Sequence, residues 1–172
     1  MIPGMIERSK LYMAENKMDF ISRIISDHEL AQCLVSTEPN FKDCEPTQEQ
    51  LAALPWNQVF PCVYTIDTQL DIGSFITMKF RYSIDESSKP YIWKVNRIDF
   101  YVFCHKSLIR TDYGVLRYDY MAQRLCAIMN DTYSNSWYNR LELKSMEDIM
   151  MDSLGNFVGV KMTFGCNERW TV

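Results

Sequence analysis

Apolar and polar residues alternate along the middle of the chain with the period of strands, and then switch to the period of a helix. Ile76, Met78, Phe80 and Tyr82 alternate with Thr77, Lys79 and Arg81, the pattern of a strand with one apolar and one polar face. The polar stretch Asp85 to Pro90 reads as a turn. In a second strand, from about Trp93 to Cys104, Ile98, Phe100, Val102 and Cys104 share one face. Arg97, Asp99, Tyr101 and Phe103 take the other. After a loop around Asp112-Tyr113-Gly114, Tyr118, Met121, Ala122, Leu125, Ile128 and Met129 recur at helical spacing. They predict an amphipathic helix ending near Asn130, with Arg117, Gln123 and Arg124 on its outer side. Leu141 and Leu143 alternate with Glu142 and Lys144 in a third strand. Val158, Val160, Met162 and Phe164 alternate with Lys161 and Thr163 in a fourth, after a turn at Gly155-Asn156.

The N-terminal part reads as helical. Met18, Phe20, Ile21, Ile24 and Ile25 predict a helix over about Lys17 to Ser26. Ser26, with Glu29 three residues on, has the spacing of a capping box before a second short helix carrying Leu30, Cys33 and Leu34. Thr37 to Pro46 is polar and irregular. Thr47 and Gln50 form another possible box ahead of Leu51 and Leu54, and Pro55 ends that helix. The fold expected is α+β, an antiparallel sheet of about four strands with helices packed on one face. One domain is expected over residues 1–172, with a helical region at 17–54 and the strands and long helix at 74–166. Phe100, Val102, Met121, Leu125, Val160 and Met162 are the expected core where the helix crosses the sheet.

Thr77, Lys79, Arg81, Arg97, Asp99, Glu142, Lys144, Lys161 and Thr163 are expected on the other face. Such a face is either solvated or meets another subunit. The 172 residues carry a formal charge of −4, which argues against a protein that coats nucleic acid by neutralising phosphates. Ten Tyr and four Trp hint at protein contacts. No run of about 18 apolar residues offers a membrane span, and the first residues lack the apolar core of an export signal. Six cysteines without that signal are expected as free, mostly buried thiols.

Two catalytic arrangements arise in the sequence. Cys104 and His105 are adjacent, but neighbours on a strand point to opposite faces, so Cys104 reads as a core thiol. Glu142 and Lys144, with Asp119 or Asp131 as a further carboxylate, have the composition of a Mg²⁺-dependent nuclease site. E-x-K is common on exposed strands, and phosphate-loop, HExxH and GxSxG motifs are absent. His28 reads as a surface or capping side chain. The expectation is a protein that is not an enzyme and has no metal or cofactor. A small-molecule or peptide-binding module is a further reading.

Four segments carry a resemblance to a known family. They are Ile21–Leu34, a helix, polar break and second helix; Asn57-Gln58-Val59-Phe60-Pro61 ahead of the first long strand; Arg97 to Lys106, a strand ending in Cys-His; and Gly114-Val115-Leu116-Arg117 opening the long helix. In this order, with the closing strand Gly159–Phe164, the chain resembles the tail terminator, or tail-completion, proteins of the tailed-bacteriophage neck. Gln58 stands where that pattern has a basic residue. The resemblance implies a structural virion protein at the head–tail junction, made in the host bacterial cytoplasm. It implies a homo-oligomeric ring, a hexamer, that ends the tail tube and docks the head-side connector while DNA passes through the lumen without specific binding. A head-closure ring of the same neck is the alternative. Lys79, Arg81, Arg97, Asp99, Glu142, Lys144 and Lys161 are then the candidate interface residues, and no membrane is involved.

Overall fold

The computed structural model describes residues 17–63, 72–85, 92–130, 139–152 and 154–168. Helix α1 covers residues 17–26. It is followed by α2 (His28–Val35), a 3₁₀ turn at Phe41–Asp43, α3 (Gln48–Ala53) and β1 (Val59–Phe60). Strands β2 (Ser74–Asp85) and β3 (Ile92–His105) precede α4 (Arg117–Met129), β4 (Asn139–Met150) and β5 (Phe157–Glu168). The α+β expectation holds, with one more strand than the alternation shows. The sheet runs β1-β2-β3-β5-β4, and β1 adds to it in parallel through Val59↔Ile76 and Phe60↔Thr77. Two residues are too few for a period to declare itself. The other pairs are antiparallel. The partner of β3 is β5, so the chain leaving α4 lays β4 at the border of the sheet and returns inside it.

Local chemistry sets the helix ends. Asp27, one residue beyond the expected Ser26, caps α2, its carboxylate accepting from the Leu30 N–H at 2.9 Å. The Thr47–Gln50 box forms reciprocally, with bonds of 3.2 and 2.9 Å. Buried Gln32 of α2 donates through one amide nitrogen to the carbonyls of Lys42 and Cys44, at 2.8 and 2.9 Å. That pair of bonds fastens the irregular 37–46 stretch to α2.

The helices cover one face of the sheet. Phe100, Val102, Met121, Leu125, Val160 and Met162 are all buried there, as the two periods predict. They join Phe20, Ile24 and Leu34 of the first two helices in one core. Gly159 is fixed by close approach. A Cβ on it would lie 2.0 Å from the Val102 carbonyl oxygen and 2.5 Å from the Phe103 Cα. Gly159→Ala must push β5 from β3, and should cost roughly 1–3 kcal/mol, toward the upper end because backbone must move. An unchanged urea midpoint would show that the strands separate freely at this point.

Candidate functional site

The open face of the sheet is built around a buried carboxylate. Alternation places Asp99 on that face, with Lys79 directly across on β2 and Thr163 across on β5. Asp99 is nevertheless 0% exposed. Arg81 and Arg97 are themselves paired across β2 and β3, a juxtaposition of like charges that is unfavourable alone. Asp99 lies between them and resolves it, accepting from each Nε at 3.1 Å. The Thr163 hydroxyl donates to the same carboxylate at 2.8 Å, and accepts from Arg97 at 3.2 Å. Burial alone would raise the Asp99 pKa. The Thr163 hydroxyl and the two guanidinium groups outweigh it and hold the carboxyl below its ordinary range. Both arginines are thus held by a fixed anchor while their side chains stay 47% and 42% exposed.

The rest of the face is patterned along the strands. Lys161 pairs with Glu147 of β4 at 2.5 Å, and Lys144 with Glu142 at 2.6 Å. Lys79 is exposed and makes no ion pair among the described residues. At the opposite end the face is apolar. Phe103, grouped by alternation with the polar side chains, is fully buried with Phe60, Phe75 and Phe157. Its ring stacks on Phe75 at 5.6 Å and meets Phe157 edge-on at 6.2 Å. The seven candidate interface residues therefore share a face, but they are not equivalent. Asp99 is an internal anchor, Arg81 and Arg97 are its ligands, and the other four reach solvent. A wholly solvated polar face is not what the chain forms.

On the helix side, Arg117 corrects the sequence reading most sharply. Expected on the outside of α4, it is 0% exposed. Its Nε donates to the Leu108 carbonyl at 3.0 Å, and Nη1 to those of Cys33 and Ser36 at 3.2 and 2.8 Å. Nη2 donates to the Glu38 carbonyl, and the guanidinium lies over the Phe41 ring. Burial pulls its pKa below the usual value. Arg124, 34% exposed, instead bridges to α2, pairing with the capping Asp27 at 2.6 Å and with Glu29 at 3.6 Å. The Tyr120 hydroxyl donates to Glu29, whose carboxylate thus serves α4 and not the predicted capping box.

The fold sets Cys104 apart from His105, and Glu142 apart from Asp119. Cys104 is buried on the helix side, and burial pushes its thiol up to about 12, the same as Cys33. His105 accepts from the Ser107 N–H at 3.3 Å and packs on Phe157. Cys33, Cys44, Cys62, Cys104 and Cys126 are free, although Cys62 is exposed. Glu142 lies on the open face, opposite Gly165 and bonded to Lys144, while Asp119 lies on α4, on the covered side. Asp131 is outside the described residues. Among the described residues no group of three or more His, Cys, Asp or Glu is placed to hold a metal. Asp119 instead faces Asp148 of β4, and partial burial together with that second carboxylate raises its pKa. A groove of about 500 Å³ lies where the end of α1 and the start of α2 meet α3, lined by Ile25, Ala31, Leu51 and Ala52 together with Ser26, His28 and Gln48.

The model of the YomW family matches residues 27–166, which hold α2 and the whole sheet as far as Cys166. The chain belongs to the YomW family. That family has a phage-derived name and marks the chain as phage-related. No curated protein and no solved structure matches. Within the YomW match lie Asp99 and both its arginines, the buried Arg117, and the two carboxylates Asp119 and Asp148. Sequence reasoning missed Arg117 and the Asp119–Asp148 pair. Arg117 stands four residues before Met121 and eight before Leu125, on the buried stripe of α4, which was a signal for it.

Proposed function

We propose that this phage-related chain is a structural protein of the virion neck, forming a ring that ends the tail tube and joins it to the head-side connector. The observation that carries the reading is the ordered set of four segments resembling tail terminators, each of which falls at a joint of the fold. Ile21–Leu34 spans the α1–α2 break at Asp27. Asn57–Pro61 supplies β1, and within it the Gln58 amide donates to the Leu34 carbonyl at the end of α2 at 2.5 Å. Arg97–Lys106 carries the two inner pairings of the sheet, and Gly114–Arg117 leads into α4 through the buried guanidinium. The open face supports the reading because its charges are anchored and patterned, as a surface that meets protein requires. The net charge of −4 suits a lumen through which DNA slides, since each neutralised phosphate would add affinity.

The purified full-length chain should sediment as a closed oligomer, alone or on addition of tail tubes, and should appear in electron micrographs as a ring at tube ends that stops their elongation. A chain that stays monomeric and leaves tubes growing would refute the reading. Rings that bind only the isolated connector would move the protein to head closure. No cleavage of DNA is expected with Mg²⁺ above a buffer control. Cleavage that Glu142→Gln abolishes would replace the structural role with a nuclease.

A further inference from the structure

The two long borders of the sheet differ in charge and share apolar content. Beyond Thr77, β2 has no strand on its outer side among the described residues, and β4 borders the other end. Each strand is 12 residues long. Along the β2 border lie Lys17, its ammonium 5.4 Å from the Phe80 ring centroid, and the exposed Lys79. Neither makes an ion pair among the described residues. Met18, next to Lys17 in the chain, is 48% exposed. Along β4 the register puts Met146, Asp148 and Met150 on the helix side, opposite Met162, Val160 and Val158. Met146 and Met150 are 48% and 74% exposed, and Asp148 is exposed as well. Glu147 projects from the open side of the same strand. The β2 border thus presents two basic side chains beside apolar surface, and the Glu147–Met150 end of β4, where Glu147 also pairs with Lys161, presents two acidic ones beside apolar surface.

Resting on the ring reading, we propose that the β4 border of one copy docks on the β2 border of the next copy of this chain. Strand directions permit it. β2 and β4 run opposite ways, because β2 is antiparallel to β3, β3 to β5 and β5 to β4. A copy repeated beside itself in the same orientation therefore sets β4 antiparallel to the next β2, the arrangement used throughout the sheet. Asp148 then shares a side with Lys17 and Met18, and Glu147 with Lys79. Two different patches on opposite borders make a head-to-tail contact, the kind that closes a ring by rotation.

The test uses two full-length variants, Glu147→Lys with Asp148→Lys, and Lys17→Glu with Lys79→Glu. Each alone sets like charges across every contact, and should raise the concentration for half-assembly by about tenfold or more relative to wild type. Mixed in equal amounts they restore opposite charges at both kinds of contact, and alternate around an even-numbered ring. Recovery of wild-type assembly in the mixture is the expected result, and it also shows that each variant is folded. Assembly of either variant alone at the wild-type concentration would overturn the docking while leaving the ring intact. So would a mixture of two variants, each with native circular dichroism, that stays dissociated. If wild type itself forms no oligomer with or without tubes, the ring reading fails first.

Discussion

Replacing Arg117 by alanine should cost about 3–5 kcal/mol, since several carbonyls each lose a hydrogen bond to a charged donor, worth roughly 1.5–3 kcal/mol apiece before the chain relaxes. Four carbonyls, of Cys33, Ser36, Glu38 and Leu108, now accept from the guanidinium. Without it the carbonyls of Cys33, Ser36 and Leu108 lose a buried donor, and a cavity opens beside Phe41. Cys33 and Ser36 lie at the C-terminal end of α2, where the helix dipole is negative and favours a cation. The position of Arg117 in the first turn of α4 is unfavourable for the same reason, so its stabilisation comes from the neighbouring helix and not from its own. Arg117→Lys should recover only part of the loss, because an ammonium cannot spread its donors over four carbonyls in a plane. Urea unfolding measures both variants. A loss below about 1 kcal/mol for the alanine variant would mean that the 33–38 segment closes without it.

Replacing Asp99 by alanine should be the second largest effect, about 2–4 kcal/mol, at the lower part of the range for breaking a buried pair because both arginines reach solvent. The loss includes more than two ion pairs, since Arg81 and Arg97 are then left facing each other and Thr163 loses its acceptor. The contribution depends on pH in a definite direction. The folded-state pKa of Asp99 lies below its unfolded value. Its stabilisation is therefore present above the ordinary carboxylate range and is lost as pH falls through the lowered folded value. Asp119 has the opposite sign. Its pKa is raised by burial and by Asp148, so its ionisation opposes folding as pH rises. Unfolding curves from pH 7 downward should show wild type converging on Asp99→Ala at the acid end. A constant gap between them would show that the carboxylate is not anchored as described.

The long strands and α4 were legible because their periods run for many residues and their apolar sets face one core. The failures have physical causes. Arg117 was assigned by its charge although its phase matches Met121 and Leu125, and four backbone carbonyls from distant segments satisfy it. Asp99 was placed on the right face, but its burial depends on two arginines and a threonine contributed by three strands. Alternation alone carries no sign of that convergence. Ser26 and Asp27 are both good caps, and the choice is made by Glu29, which is drawn to Tyr120 and Arg124 across the helix pair. Phe103 breaks the polar face because Gly159 opposite it leaves room for the ring. The bulge in β4 between Leu143 and Ser145 keeps Glu142 and Lys144 on one side while shifting Glu147 onto it as well. Nothing in the spacing announces that change of register.

The irregular 37–46 stretch is held from two sides. Gln32 ties it at Lys42 and Cys44, the Tyr113 hydroxyl accepts from the Lys42 N–H at 3.2 Å, and the Asp112 N–H reaches the Pro39 carbonyl at 3.3 Å. A segment without repeating structure is thereby stitched to α2 on one side and to the approach to α4 on the other. It has no independent opening of its own, and belongs to the same cooperative unit as the two helices it joins. Its internally bonded amides, those of Asp43 and Cys44, should exchange with deuterium at the pace of α2, far more slowly than a surface loop. A protease seeking slack in the native chain should pass it over.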